Sequence, residues 1–308
     1  MGGQQRIYKQ KIRATETLEK VFRAMEMIAA SRIGNARRRA TEADPYTQAL
    51  TRAVAAVAVH SDIDHPLTRK RDDTKRVAVL AISSDRGLAG AYSATILRET
   101  AKLLEELRED GKEPVLFTSG KRAKQYFQFR DVQIEKSWEG DSDRPNEQRM
   151  YEIGQTLLDY FLDADPKTGV SGVEIVFTRF VSMVKLVPEI RQVLPLSVVD
   201  APSNLEEGDE LGFGPDGQGY PEYEFIPGVE TVLNTLLPLY VTNRIATAMV
   251  QSAASELAAR QQAMHTATEN ANDIIRDYTR LANAARQGEI TQEISEIVSG
   301  ADALSQNN

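Results

Sequence analysis

The stretch that decides the fold is AASELAARQQAMHTATENANDIIRDYTRLANAA, Ala253 to Ala285. Ala253, Leu257, Met264, Ala267, Ala271, Ile274, Tyr278, Leu281 and Ala285 follow one another at the steps of a helical seam, and only Arg260 interrupts it. In a chain that is 41% hydrophobic, chance would fill about four of those ten positions, so the spacing predicts a long helix packed along one side. Past Gly288 the seam shifts and resumes at Ile290, Ile294, Ile297, Ala301 and Leu304. From Pro238 to Leu304 such a helix would be about 100 Å long, with Pro238 in its first turn or kinking it.

The other end repeats the pattern. Ile7, Ala14, Leu18, Val21, Met25 and Ile28 alternate steps of three and four, with Lys11 interrupting, and predict a second long helix reaching about Val57, restarting near Pro45. Between the two the period changes. VAVLAI (Val77 to Ile82), PVLFT (Pro114 to Thr118), VQIEKSW (Val132 to Trp138) and VEIVFTRFV (Val173 to Val181) read as strands. Amphipathic stretches at Ile96 to Leu107, Arg122 to Phe127 and Met150 to Leu162 alternate with them. That alternation predicts a mostly parallel sheet covered on both faces, with Lys185 to Val199 returning as an edge strand marked by Pro188 and Pro195. The expected class is therefore α/β: a long antiparallel coiled coil of N- and C-terminal helices plus a central Rossmann-like α/β domain. The expected divisions are 1–58 for the first helix, 75–200 for the domain, 201–228 for an acidic loop and 229–308 for the last helix.

Composition narrows the chemistry. The 308 residues include no cysteine and three histidines, which excludes disulfides, thiolate metal sites and a cysteine nucleophile and argues against a histidine-rich metal centre. No apolar run approaches the roughly 20 residues that cross a bilayer, and MGGQQRIYKQ lacks the apolar region of a signal peptide, so a cytoplasmic chain is expected. The net charge of -8 is unevenly placed. Met1 to Arg39 carries ten basic residues against Glu16, Glu19 and Glu26. Ser203 to Pro227 carries seven acidic residues, five glycines and three prolines with no Lys or Arg, and reads as an exposed loop.

Several motifs suggest chemistry. SDRGLAGAYS follows the first strand and leads into a helix, the place where doubly wound folds hold phosphate. Only Gly87 and Gly90 occur there, however, and no Gly-Lys-Ser or Gly-Lys-Thr follows. A tight turn packing the helix on the sheet is preferred, with a protein contact and a nucleotide site as alternatives. HSDIDH, His60 to His65, offers two imidazoles and two carboxylates, but its flanks favour a solvated loop over a metal site. His265 lacks a Glu-x-x-His partner and reads as a surface or interface residue. Arg32, Arg37, Arg38 and Arg39 could meet nucleic acid, anionic lipid or an acidic protein, or form a solvated face; no aromatic residues interleave for base stacking. The acidic stretch has no calcium-loop spacing. A nucleotide-dependent enzyme and a basic-helix nucleic-acid binder are thus the competing function classes.

RAMEMIAASRI (Arg23 to Ile33), Pro45–Tyr46, SDRGLAG (Ser84 to Gly90), SELAARQQAMHTATENANDII (Ser255 to Ile275) and ARQGEITQEISEIVSGADAL (Ala285 to Leu304) resemble the gamma subunits of bacterial F-type ATP synthases. The resemblance implies a non-catalytic rotor subunit without cofactors or metals, one copy per complex. Its partners would be the alpha and beta subunits of the catalytic hexamer, the epsilon subunit and the membrane c-ring, at the cytoplasmic face of the cell membrane. It further implies beta-subunit contacts at Arg23, Met25, Arg32, Ala89, Arg260, Gln287 and Thr291, and c-ring or epsilon contacts at Tyr223, Glu224 and Phe225. Ile290 to Leu304 would enter an upper bearing. The sequence departs from the family pattern at Ala89, Ala282 and Ala284, and Leu205 to Tyr220 is longer than the usual connection.

Overall fold

The computed structural model describes residues 3–60, 65–196, 226 and 228–305, with the side chains of 37, 39–44, 55–60 and 300–305 left aside. It divides into two compact units, Ser31–Ala259 and the pair Met1–Ala30 with Arg260–Asn308. The first helix, α1 (Gly3–His60), and the last, α5 (Val229–Ser305), each contribute to both.

In the larger unit the chain order is β1 (Arg76–Ile82), α2 (Tyr92–Glu109), β2 (Glu113–Ser119), α3 (Lys121–Phe129), β3 (Ile134–Trp138), α4 (Glu147–Leu162), β4 (Gly172–Phe180) and β5 (Leu186–Leu194). The sheet order is β3-β2-β1-β4-β5. The first four strands are parallel and β5 returns antiparallel to β4. Successive side chains of a strand point to opposite faces, and β1 carries apolar residues on both, as a strand covered on two sides must. Val77, Val79 and Ala81 pack with Ile96, Leu103 and Leu107 of α2 and Phe127 of α3. Ala78, Leu80 and Ile82 pack with Ile153, Leu157 and Phe161 of α4, and this second face also takes Leu233, Leu237, Val241 and Ile245 of α5 and Leu50 of α1. The terminal helices are therefore part of the sheet's core. At about 1.5–3 kcal/mol for each such side chain removed from water, these contacts dominate the stability of the unit.

That packing explains why neither proline ends its helix. α1 continues through Pro45, and α5 begins at Val229, so Pro238 lies in its interior and not in its first turn. A helix-interior proline costs about 3 kcal/mol. The burial of Leu233 and Leu237 before Pro238, and of Tyr240 and Val241 after it, offsets that cost.

In the smaller unit α1 and α5 pair antiparallel. Tyr8 lies 6.2 Å from Tyr278 between ring centroids, while Glu26, further along α1, meets His265, earlier in α5. The seam is not the expected one. Of the expected positions, Ile7, Leu18, Val21 and Ile28 are about half exposed and Met25 is half-buried, while the stripe turned inward is Gln5, Tyr8, Ile12, Thr15, Glu19, Phe22, Glu26 and Ala29. This stripe is in phase with the buried Ile33 and Leu50 later in the same helix, so the helix's distant packing sets the phase that local periodicity leaves open. On α5 the expected seam holds through Ala271. Beyond it the expected Tyr278 and Ala285 stay half-buried, while the exposed Ile274 and Leu281 give way to the half-buried Ile275 and buried Ala282.

Candidate partner-binding surfaces

The SDRGLAG loop is a structural hub. Leu88 and Gly90 adopt positive φ (62° and 54°), and the turn closes with Tyr92 donating its N–H to the Ala89 carbonyl. Ser83 Oγ accepts the N–H of Ala123, and Asp85 Oδ1 accepts that of Lys121, so the loop caps α3. Asp85 Oδ2 accepts two more N–H groups, from Gly140 at 3.0 Å and Ser142 at 2.9 Å, and Asp85 N–H donates to Ser142 Oγ. Burial by itself would raise the Asp85 pKa; the backbone donors of Ser142, Gly140 and Lys121 outweigh it and hold the carboxyl below its ordinary value. Gly120 makes this closeness possible. Its φ is 107°, and a Cβ there would sit 2.3 Å from the Ser83 carbonyl oxygen. These contacts make the loop the tight turn preferred from sequence.

Ala89, expected at a partner surface, is buried. Its methyl packs inside the turn, and the neighbouring Leu88, 54% exposed, presents the loop's apolar side chain instead. Arg32 forms an ion pair with Asp143, which also faces Arg86 at 3.9 Å. Arg38 Nη2 donates to Asn35 Oδ1. A cleft of about 520 Å³ opens beside these residues, lined by Asn35 and Ala36 of α1, Val250 and Ala253 of α5, and the loop carrying Asp141 and Asp143.

His65 is not in a solvated loop. It is buried, its Nδ1 accepts the Leu67 N–H, and its Nε2 therefore carries the proton donated to Asn234 Oδ1. Residues 61–64 and the His60 side chain lie outside the described residues, and among those described no group of three or more metal-binding side chains occurs. His265 is the interface residue expected, with Nδ1 2.9 Å from Glu26 Oε1.

On the paired helices, Arg23 is exposed and paired with Glu19, and Met25 is half-buried. Arg260 is buried within the seam. Gln287 and Thr291 are exposed, joined by Thr291 Oγ1 donating to the Gln287 carbonyl. Ile290, Ile294, Ile297 and Val298 are also exposed. Tyr223, Glu224 and Phe225, together with the acidic stretch Leu205 to Tyr220, lie outside the described residues. Sequence reading missed Asp85 and Asp143. Both stand in charged loop segments with no period, and their roles come from backbone donors and an arginine far away in sequence.

The five-stranded sheet and the two long terminal helices define a mixed α/β protein whose helices leave many apolar side chains exposed. The family model described as ATP synthase matches residues 4–304. The chain is 56% identical to the ATP synthase gamma chain of Beutenbergia cavernae over 99% of both chains. It is 50% identical to that of an Arthrobacter species over the same shares. Among solved structures it is similar in fold to a chain of the Euglena gracilis mitochondrial ATP synthase, with a TM-score of 0.65 and 18% identity over 99% of this chain and 95% of that one. A chain of the Tetrahymena thermophila mitochondrial ATP synthase central stalk and c-ring gives a TM-score of 0.56 and 19% identity over 80% and 99%. The chain belongs to the ATP synthase gamma chain family.

Proposed function

We propose that this chain is the central-stalk rotor subunit of a bacterial F-type ATP synthase, catalysing nothing itself. It would carry rotation of the membrane c-ring to the alpha and beta subunits, where ATP is made, or hydrolysed in reverse. The observation that carries this reading is the exposed stripe Ile7, Leu18, Val21 and Ile28 on α1, continued in kind by Ile290, Ile294 and Ile297 on α5. Apolar side chains left outside a helix pair whose own seam holds Gln5, Thr15, Glu19 and Glu26 suit a shaft enclosed by another protein. Smooth apolar contacts can slide as the shaft turns, and the different surfaces of its sides give each beta subunit a different contact at each angle. Such differential contact is what coupling between sites requires.

On this reading Arg23, Met25, Gln287 and Thr291 face the beta subunits, Leu88 stands in for Ala89, and the buried Arg260 would reach them only by a change of side-chain conformation. Arg32 keeps an exposed edge toward the same partners. Tyr223, Glu224 and Phe225 form the foot on the c-ring and epsilon subunit, at the cytoplasmic face of the membrane. Residues 1–58 and 229–308 act as the shaft helices, 75–200 as the domain above the ring, and 201–228 as its acidic connection. The alternative enzyme reading has less support, because the loop before α2 has only Gly87 and Gly90 of the phosphate-binding pattern and Tyr92 N–H, in the first turn of α2, donates to the Ala89 carbonyl. The test is purification of the tagged chain from membranes: alpha and beta subunits are expected with it in an ATP-hydrolysing complex, and recovery without them would sink the reading.

A further inference from the structure

Within the unit Ser31–Ala259, α1 is held on two sides by different means. On one side Ile33 packs with Leu257 and Ala258, and Phe180, Met183 and Leu186 from the end of the β4–β5 hairpin close over them. On the other side the cleft separates α1 from the loop after β3. Arg32 spans that gap to Asp143, whose side chain is only 15% exposed. Arg86, from the loop after β1, faces the same carboxylate.

Asp143 does not reach this position by itself. Its neighbours Gly140 and Ser142 both donate their N–H groups to Asp85 Oδ2, and Asp85 is anchored through Oδ1 to the first N–H of α3. Asn146 and Arg149, at the start of α4, hold the adjacent Asp141. A continuous set of polar contacts thus runs from the ends of β1 and β3 to α1, all within one unit. With Arg32 half exposed, the pair adds little to stability, and its effect lies in fixing where α1 meets the loop after β3.

Resting on the rotor reading above, we propose that Asp143, set in place by Asp85, is a positioning residue for torque transfer: it clasps α1 through Arg32 so that the sheet domain and the helix turn together. SDRGLAG then serves as a mechanical buttress in the place where other doubly wound folds hold phosphate. The clasp differs from a general stabilising contact because it acts between two elements that must move as one while load passes through them.

The test uses the whole complex in membrane vesicles. Asp143→Asn keeps the size and removes the charge. It should still assemble with alpha and beta and hydrolyse ATP, while protons pumped per ATP fall and amide exchange of residues 32–36 rises by about two- to fivefold, the scale of one partly exposed ion pair. The double variant Arg32→Asp/Asp143→Arg should restore both readouts relative to Arg32→Asp alone. A proton-to-ATP ratio unchanged in Asp143→Asn, or a double variant no better than either single one, would overturn the clasp. Failure of the unaltered chain to recover with alpha and beta would instead strike the rotor reading, so the two failures are distinguishable.

Discussion

In the sheet domain, β1 is buried nearly end to end, and the apolar faces of α2, α4 and the first turns of α5 all meet a core. In the paired helices the arrangement is inverted: Glu19 is buried while Leu18 beside it is half exposed. Hydrophobic burial specifies the first region. In the second, polar contacts across and along the seam set the register, including Glu26 with His265 and Lys11 over the Tyr278 ring at 5.1 Å. The difference shows that one continuous helix can join the core in one part of its length and leave apolar side chains exposed in another.

The largest test of this contrast is Phe117→Ala. Phe117 is fully buried against Trp138 and Tyr160, and its loss should cost about 3–5 kcal/mol in chemical denaturation of the isolated subunit. A cost below 1 kcal/mol would break the claim that the domain is held by its core. Gly120→Ala comes next, at about 2–3 kcal/mol by the same measurement, since the new methyl meets the Ser83 carbonyl at a φ of 107°. A smaller effect of opposite sign is expected for Glu19→Leu. Its Oε1 lies 2.5 Å from Arg23 without hydrogen-bond alignment, and an apolar side chain there should stabilise the helix pair by about 1 kcal/mol, read as slower amide exchange in residues 15–23. Leu18→Ala should change the stability of the isolated subunit by less than about 0.5 kcal/mol, yet weaken recovery of alpha and beta subunits in co-purification. Equal loss of stability and recovery would show that Leu18 packs within the chain.

Acid sharpens the same comparison. Asp85 has a folded-state pKa below its ordinary 3.8, so the unfolded chain binds the proton first as pH falls. The stability it contributes is complete above the ordinary value and is lost as pH drops through the depressed one. Asp85→Asn should flatten that part of the acid-unfolding profile followed by the domain's Trp138 fluorescence. A profile identical to the unaltered protein would remove Asp85 from its place as hub.

The sheet was legible because its signal is local. VAVLAI is a continuous apolar run and VEIVFTRFV a mainly apolar one rich in β-branched and aromatic residues, and each lies within a residue of the strand observed. The edge position of β5 followed from Pro188 within it and Pro195 just past its end. The phase of α1 was not legible, because Ile7 and Tyr8, or Leu18 and Glu19, begin adjacent stripes with the same period. The choice between them is made by contacts tens of residues away, at Ile33 and Leu50. Pro45 and Pro238 suggested breaks because local propensity cannot count the tertiary contacts that override it. The motifs that carried the family resemblance were plain in the sequence, but Asp143 was not, since its arginine partner stands 111 residues earlier.

The two edges of the sheet carry a final consequence. β3 sets Glu135 and Lys136 outward, while β5 contains Pro188, which lacks an N–H, beside a cluster of Arg179, Glu189 and Arg191. An uncharged, unbroken edge strand would invite a second newly made copy to add its own strand. Charge at the β3 border, and charge with proline at the β5 border, oppose that pairing, so edge-to-edge aggregation of copies of this chain is disfavoured.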